Sequence, residues 1–318
     1  MTLRVLSMAD TSACDDVLDS LRQVAEVIVR PPDAAVLRQE LAEADVYLAS
    51  LHVRIDAAQI DAARKLKAIA TPSTGLDHID LAAAARRGIA VLSLRDDKAF
   101  LNSLTATAEL AWALLLSVVR RLPWAVQAAR HGDWARDRFR GHQLSGKTLG
   151  IVGYGRLGRM VAEYGKAFRM RVIATDRARV DPAEGVEVMP LNDLLAQSDV
   201  ISIHVHLSDE TRGLIGRQQF ARMKRGAVLI NTSRGAVVDE AALLDALNDG
   251  ALLGAGLDVI EGEWRPDLMD HPLICHAATH QNLVISPHIG GVTYESQRMA
   301  YARTVEMILN FLREKELI

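Results

Sequence analysis

Residues 148–158 read Thr-Leu-Gly-Ile-Val-Gly-Tyr-Gly-Arg-Leu-Gly, and they leave the chain few ways to fold. A short apolar run, Thr148–Val152, is followed at once by Gly153, Gly155 and Gly158 in G-x-G-x-x-G order, and then by a helical pattern over Arg156–Phe168. A strand that turns this tightly into a helix belongs to a parallel βαβ unit. Gly153 permits the turn, Gly155 lets backbone approach a pyrophosphate, and Gly158 lets helix and strand close together. The helix N-terminus adds free N–H groups and a positive dipole end. The next apolar run, Arg171–Thr175, ends in Asp176, about 20 residues on, where a carboxylate can accept hydrogen bonds from a ribose. That acid disfavours a 2′-phosphate, so NAD is expected rather than NADP, although Arg177 and Arg179 stand beside it.

The same alternation runs from end to end. Apolar runs at Leu3–Leu6, Glu26–Val29, Val46–Ala49, Ala68–Ala70 and Ile89–Leu92 are spaced by helical stretches at Thr11–Gln23, Asp33–Ala42, Asp56–Ala63 and Leu81–Arg87. A second series continues through Val200–Ile203, Ala227–Ile230, Leu253–Leu257 and Leu283–Ile285. Its strands are continuous rather than alternating, as in sheets covered on both faces. The expectation is an α/β protein with two doubly wound parallel sheets. A chain of 318 residues, 49% apolar, suits two cores. The segment Leu101–His131 reads as helical, with Pro123 opening a second helix, and Thr293–Leu312 as a final helix. Arg130–Gly146 is the most loop-like stretch.

A net charge of −3 and 24% charged residues point away from a nucleic-acid surface or a polybasic anchor. Two cysteines, Cys14 and Cys275, fit a reducing compartment. The N-terminal segment has no apolar core with a cleavage site, and the apolar stretch Leu110–Val119 is too short to span a bilayer. A soluble cytoplasmic protein, with no membrane partner, is expected.

Three later strands end in polar groups. Val228–Gly235 reads Val-Leu-Ile-Asn-Thr-Ser-Arg-Gly and places Arg234 at a carboxyl strand end, where ligands bind in open α/β sheets. Gly256–Glu263 places Asp258 at the next strand end and Glu263 just beyond it. Ser286-Pro287-His288-Ile289-Gly290-Gly291 follows the third. Hydride transfer to a 2-oxo acid needs a cation for the carboxylate, an acid for the carbonyl oxygen and a partner that orients that acid. Arg234, His288 and Glu263 supply those types. Taken singly, each has an ordinary structural reading; their placement at consecutive strand ends is what points to chemistry.

The glycine turn, the Asn-Thr-Ser-Arg-Gly loop, the Gly256–Glu263 turn and the Ser286–Gly291 segment together resemble the D-isomer-specific 2-hydroxy acid dehydrogenase family, which includes D-3-phosphoglycerate dehydrogenase. Ala70–Asp80 resembles its substrate-domain loop, Thr107–Glu109 the start of its interdomain helix, and His204 its strand-end histidine. The resemblance implies a Rossmann NAD-binding domain, residues 101–288, inserted into a flavodoxin-like substrate domain, residues 1–100 plus 289–318, and a homodimer. It implies that Arg234 binds the substrate carboxylate and carbonyl. His288 is the acid/base, and Glu263 favours its charged form. Ser73, Thr74 and Gly75 are substrate residues by the same resemblance. Arg156 and Leu157 lie at the pyrophosphate. His204, Thr232, Ser233, Asp258, Gly290 and Gly291 join Gly153, Gly155, Gly158 and Asp176 as cofactor residues.

Some features depart from the family. His206 stands where many members have proline. Residues 264–287 are longer than is common and hold Trp264, Arg265, His271, Cys275, His276 and His280. The i, i+4 pair His276 and His280 lacks a third ligand, so no metal is expected; the segment is expected to shape a pocket rim or a subunit contact. Arg130, Arg136, Arg138 and Arg140 suit a solvated loop better than a phosphate site, and Trp134 suits an interface. No regulatory domain is expected after the last helix. Formate- and phosphite-type chemistry on this fold is disfavoured by the Glu263–His288 pair. The alternative outside catalysis is an NAD-sensing binding protein of the same fold.

Overall fold

A computed structural model describes residues 2–178 and 180–318, so Arg179 lies outside the described residues. The chain separates into two compact units, residues 1–104 with 292–318, and residues 105–291.

The first unit holds strands β1 (Arg4–Ser7), β2 (Glu26–Val29), β3 (Val46–Leu48), β4 (Ala68–Thr71) and β5 (Ala90–Ser93), all parallel, in the order β2-β1-β3-β4-β5. This is the order of flavodoxin-like sheets. The C-terminal helix Tyr294–Glu314 returns to this unit and lays Tyr301, Val305, Ile308 and Leu312 against Val5, Val46 and Ala68. Thr293 caps it, its hydroxyl accepting the Ser296 amide at 3.1 Å. The helix expected over Thr11–Gln23 is only a 3₁₀ turn, Asp15–Leu18, followed by Asp19–Arg22. Asp10 takes both the amide and the hydroxyl of Ser12, which holds the start of that stretch in a turn.

The second unit holds β6 (Thr148–Val152), β7 (Arg171–Thr175), β8 (Val186–Val188), β9 (Val200–Ile203), β10 (Ala227–Asn231), β11 (Leu252–Leu257) and β12 (Leu283–Ile285). Their order is β12-β11-β10-β9-β6-β7-β8, all parallel. It is the doubly wound nucleotide-binding order, with one further strand at the β12 edge. β6, β9 and β10 are buried along their whole length. The edge strand β8, Val-Glu-Val, is too short to stand out in the sequence; its Glu187 faces out and pairs with Arg171.

The two ends of this unit are tied locally. Leu94, Leu101 and Ala300 form a small apolar cluster that keeps residues 101–104 with the first unit. Asp258 bonds the amides of Ile289 and Gly290 and keeps 289–291 with the second. On length and composition alone, the helical stretch Lys98–Val119 would be apolar enough to cross a bilayer. Within the helix Ala106–Val119, however, Ala108, Ala111, Leu115 and Val118 pack with Leu149, Ile151 and Val228 in the core.

Candidate active site

The register of the second sheet sets the site. Thr175, Val152, Ile203, Asn231, Leu257 and Ile285 stand side by side across six strands. The residue just past each one is Asp176, Gly153, His204, Thr232, Asp258 and Ser286. The sequence-expected residues of this unit therefore leave one edge of one sheet, and the strand order reverses between β6 and β9, where a doubly wound sheet opens to ligands.

At that switch point Gly153 has φ +94°, a region L side chains avoid. A Cβ there would also meet the His204 carbonyl oxygen at 2.5 Å. A Cβ on Gly158 would stand 2.1 Å from the Gly153 carbonyl oxygen, so the helix Arg156–Ala167 could not close on its strand. Gly155, the N-cap of that helix, has no atom within 4 Å of its Cβ direction; the space is open to a ligand. Arg156 and Leu157 open the helix. Asp176 accepts the Tyr154 amide at 2.8 Å and the Ala178 amide at 2.9 Å, which fixes its carboxylate beside the glycine turn. Arg177 is paired with Glu210 rather than with Asp176.

The imidazole of His204 bonds the Ser202 hydroxyl through Nε2 at 2.8 Å. Enclosure pushes its pKa down to about 4, so the ring is neutral near pH 7. His204 Nδ1 and Thr232 Oγ1 are buried without a hydrogen-bond partner among the described residues. Orphaned polar atoms next to an open glycine turn fit a polar ligand that would satisfy them, and a dinucleotide suits this donor set. Ser233, expected as a cofactor residue, spends its hydroxyl on the Ile203 carbonyl at 2.8 Å and ties the β10 loop to β9.

The β10 loop is shaped by Asn231, which the sequence reading did not single out. Its side chain accepts the Ser233 amide at 2.9 Å and donates to the Arg234 carbonyl at 2.9 Å. Gly235 is a second unassigned residue. A Cβ there would meet the backbone of Ile260 and Glu261 at 2.2 Å, so only glycine lets the start of the 260–263 turn pack this closely on the β10 loop.

His288 and Glu263 meet as expected from their strand ends. Nδ1 of His288 lies 2.6 Å from Glu263 Oε1, and both side chains are largely enclosed, at 16% and 18% exposure. A carboxylate can only accept, so Nδ1 carries the hydrogen. His288 sits at φ +54°, an uncommon conformation for a non-glycine residue and one that tends to be found at working sites. Asp258 holds it there. The carboxylate of Asp258 accepts Ser286 Oγ at 2.6 Å and the amides of Ile289 and Gly290 at 2.9 and 2.8 Å. Burial raises its pKa, against the pull of those donors. Trp264 stacks on His288, with ring centroids 5.9 Å apart and planes 20° apart; its place directly after Glu263 was the only sequence signal for this. Gly291 has open space at its Cβ direction.

In the first unit, the loop after β4 is internally bonded. Thr71 Oγ1 takes the Ser73 amide at 3.3 Å, and Ser73 Oγ takes the Gly75 amide at 3.1 Å, with Thr74 between them. Elsewhere, Arg138 pairs with Asp133 and Arg140 with Asp137, while Trp134 is 83% exposed. His276 and His280 lie on the helix Pro272–Thr279 and at its end, and they stack face to face at 4.0 Å. His276 Nε2 is spent on Asn282. The described residues hold no group of three or more His, Cys, Asp or Glu that could bind a metal.

Sheet order, glycine turn and switch point place the second unit in the dinucleotide-binding class of doubly wound proteins. The family model described as D-isomer specific 2-hydroxyacid dehydrogenase, NAD binding domain, matches residues 112–290. The chain is 40% identical over 297 residues to the glyoxylate reductase of Aeropyrum pernix, covering 90% of this chain and 85% of that one. It is 37% identical over 307 residues to the D-3-phosphoglycerate dehydrogenase of Methanocaldococcus jannaschii, covering 94% of this chain but only 56% of that longer one. The solved structure of D-lactate dehydrogenase from Aquifex aeolicus, complexed with NAD and lactic acid, matches with a TM-score of 0.86 at 29% identity, over 98% of this chain and 97% of that one. The chain belongs to the D-isomer specific 2-hydroxyacid dehydrogenase family, and its second unit carries that family's NAD-binding domain.

Proposed function

We propose that this chain interconverts a small D-2-hydroxy acid and its 2-oxo acid, using NAD in preference to NADP. The observation that carries the reading is the enclosed His288–Glu263 pair, 2.6 Å apart, on the same sheet edge as the glycine turn. When bound, the dinucleotide supplies or accepts the hydride. Gly153, Gly155, Arg156, Leu157 and Gly158 hold its pyrophosphate. Asp176 takes its ribose, and His204, Thr232, Ser233, Asp258, Gly290 and Gly291 line its place.

The guanidinium of Arg234 takes the substrate carboxylate and polarises the carbonyl. His288 gives a proton from Nε2 to the carbonyl oxygen in reduction and takes one from the hydroxyl in oxidation. Glu263, bonded at Nδ1, fixes the orientation of the ring and leaves Nε2 for the substrate. Thr74 and Gly75 are the proposed amide donors to the carboxylate, Gly75 exchanging its bond to Ser73 for one to substrate. The likeness to the family is also the ground for proposing a homodimer, which light scattering would test.

The experiment is direct. Purified protein with NADH is offered glyoxylate, hydroxypyruvate, pyruvate, 2-oxoglutarate and 3-phosphohydroxypyruvate. Oxidation of NADH is expected with at least one. His288→Ala should lower that turnover by about 10²–10⁴-fold, as for loss of a general acid. NADH binding with no oxidation by any of the five would overturn the reading in favour of an NAD-sensing binding protein.

A further inference from the structure

Residues 264–287 are anchored at one point that bears on the site. His271 is the N-cap of the helix Pro272–Thr279, its Nδ1 accepting the Leu273 amide at 3.2 Å. An imidazole that accepts at Nδ1 carries its hydrogen on Nε2. That N–H faces two acceptors, the Glu261 carbonyl at 3.1 Å and Glu240 Oε2 at 3.3 Å. Glu240 opens the helix Glu240–Asn248, and its other oxygen takes the Glu261 amide at 2.7 Å. One His–Glu pair therefore holds both backbone polar groups of Glu261, two residues before Glu263.

The pair is enclosed, with side chains 5% and 18% exposed. Burial raises the Glu240 carboxyl above its ordinary range; the helix N-terminus and its two donors work the other way. The third side of Glu261 is closed by Gly235, against which its backbone packs. A helix cap needs only one nitrogen of His271, and a satisfied amide needs only one oxygen of Glu240. The second nitrogen and the second oxygen are used on each other and on the same residue, Glu261.

We propose that Glu240 and His271 are positioning residues: by clamping Glu261 they set the Glu263 carboxylate and the Trp264 ring against His288. The longer segment after Glu263 thus has a task, docking through His271 to brace the turn that carries the acid/base partner. The catalytic consequence rests on the dehydrogenase reading above; the placement of Glu263 does not.

The test uses His271→Asn, Glu240→Ala and Glu240→Gln. Asparagine still caps a helix but is too short to reach Glu240, so it separates capping from clamping. In 15N-histidine-labelled protein, the Nδ1 proton that His288 donates to Glu263 is identified by its loss in His288→Asn. We expect His271→Asn and Glu240→Ala to shift or broaden that resonance. On whichever 2-oxo acid the native protein reduces, they should lower kcat about ten- to a hundredfold, the scale of a small misplacement of a catalytic group. The Kd for NADH should hold within about twofold. Glu240→Gln keeps an acceptor for the Glu261 amide and should retain more of both signals. An unmoved resonance with native kcat in His271→Asn overturns the proposal. If the native protein turns over no 2-oxo acid, the functional reading fails, and the resonance alone still decides the clamp: a shift upholds it, no shift ends it.

Discussion

The backbone carbonyl of Asp258 accepts the amide of His288 at 2.9 Å, and its carboxylate takes the amides of the two residues that follow. The acid at the end of β11 is thus the mould for the loop that carries His288. The family resemblance marks Asp258 only as a cofactor residue, and the bonds it makes here are to its own chain. Asp258→Asn replaces one acceptor oxygen by an NH₂ group that must face a donor, an amide or the Ser286 hydroxyl. Leaving one buried donor unsatisfied costs about 1–3 kcal/mol. Urea unfolding should show a loss of that order, and turnover should fall with it. Native stability in Asp258→Asn would mean the loop is held by other contacts.

Two glycines of the turn should respond differently to the same substitution. Gly155 faces open space at negative φ, so Gly155→Ala should fold with a thermal midpoint within a few degrees of native, yet bind NADH at least about tenfold more weakly, because the methyl group takes room meant for the pyrophosphate. Gly158→Ala meets a backbone oxygen at 2.1 Å, and should lower the thermal midpoint as the helix is pushed from its strand. Thermal melts with and without NADH separate the two. Equal loss of stability in both would refute the assignment of open space to the ligand.

What the sequence disclosed and what it hid follow from range. Strand cores such as Thr148–Val152, Arg171–Thr175 and Val200–Ile203 are found at the bounds that apolar continuity sets, because burial on both faces demands it. The meeting of Glu263 and His288 could be expected because both lie in the loops that follow two neighbouring strands, β11 and β12. Asn231 shapes its own loop through the Ser233 amide and the Arg234 carbonyl, bonds that its residue type alone does not announce, whereas the need for Gly235 depends on backbone that follows another strand, β11. The pairing of Glu240 with His271 was still less visible: His271 stands out only as one of several residues in the longer segment and Glu240 not at all, because their meeting depends on how the helix Pro272–Thr279 docks. The stretch Thr11–Gln23 failed as one helix because Asp10 and Ser12 bond locally, a competition that an apolar periodicity does not register.

His204 makes a pH prediction with a definite sign. Its folded pKa is about 4, against about 6.5 for an unfolded histidine. Between those values the unfolded chain binds more protons, so this group lowers the stability of the folded state as pH falls from about 6.5 toward about 4. Urea midpoints measured at pH 7 and pH 5 should therefore drop more in the native protein than in His204→Gln. An identical drop in both would show that the ring does not resist protonation in the folded chain.

Asp176 is the residue we propose to decide between the two dinucleotides. Its carboxylate is fixed by the Tyr154 and Ala178 amides, and the nearest described cation on its own loop, Arg177, is bound to Glu210. A fixed anion at the ribose accepts its hydroxyls and repels a phosphate in their place. Asp176→Ala should weaken NADH binding and strengthen NADPH binding, narrowing the ratio of their Kd values by at least about tenfold, on the scale of one charge-assisted hydrogen bond. Glu210→Gln, which releases Arg177 without touching Asp176, should improve NADPH binding by a smaller factor. Fluorescence titration of both nucleotides against the three proteins measures this. A ratio unchanged in Asp176→Ala would remove Asp176 from cofactor selection and leave the preference to residues elsewhere in the second unit.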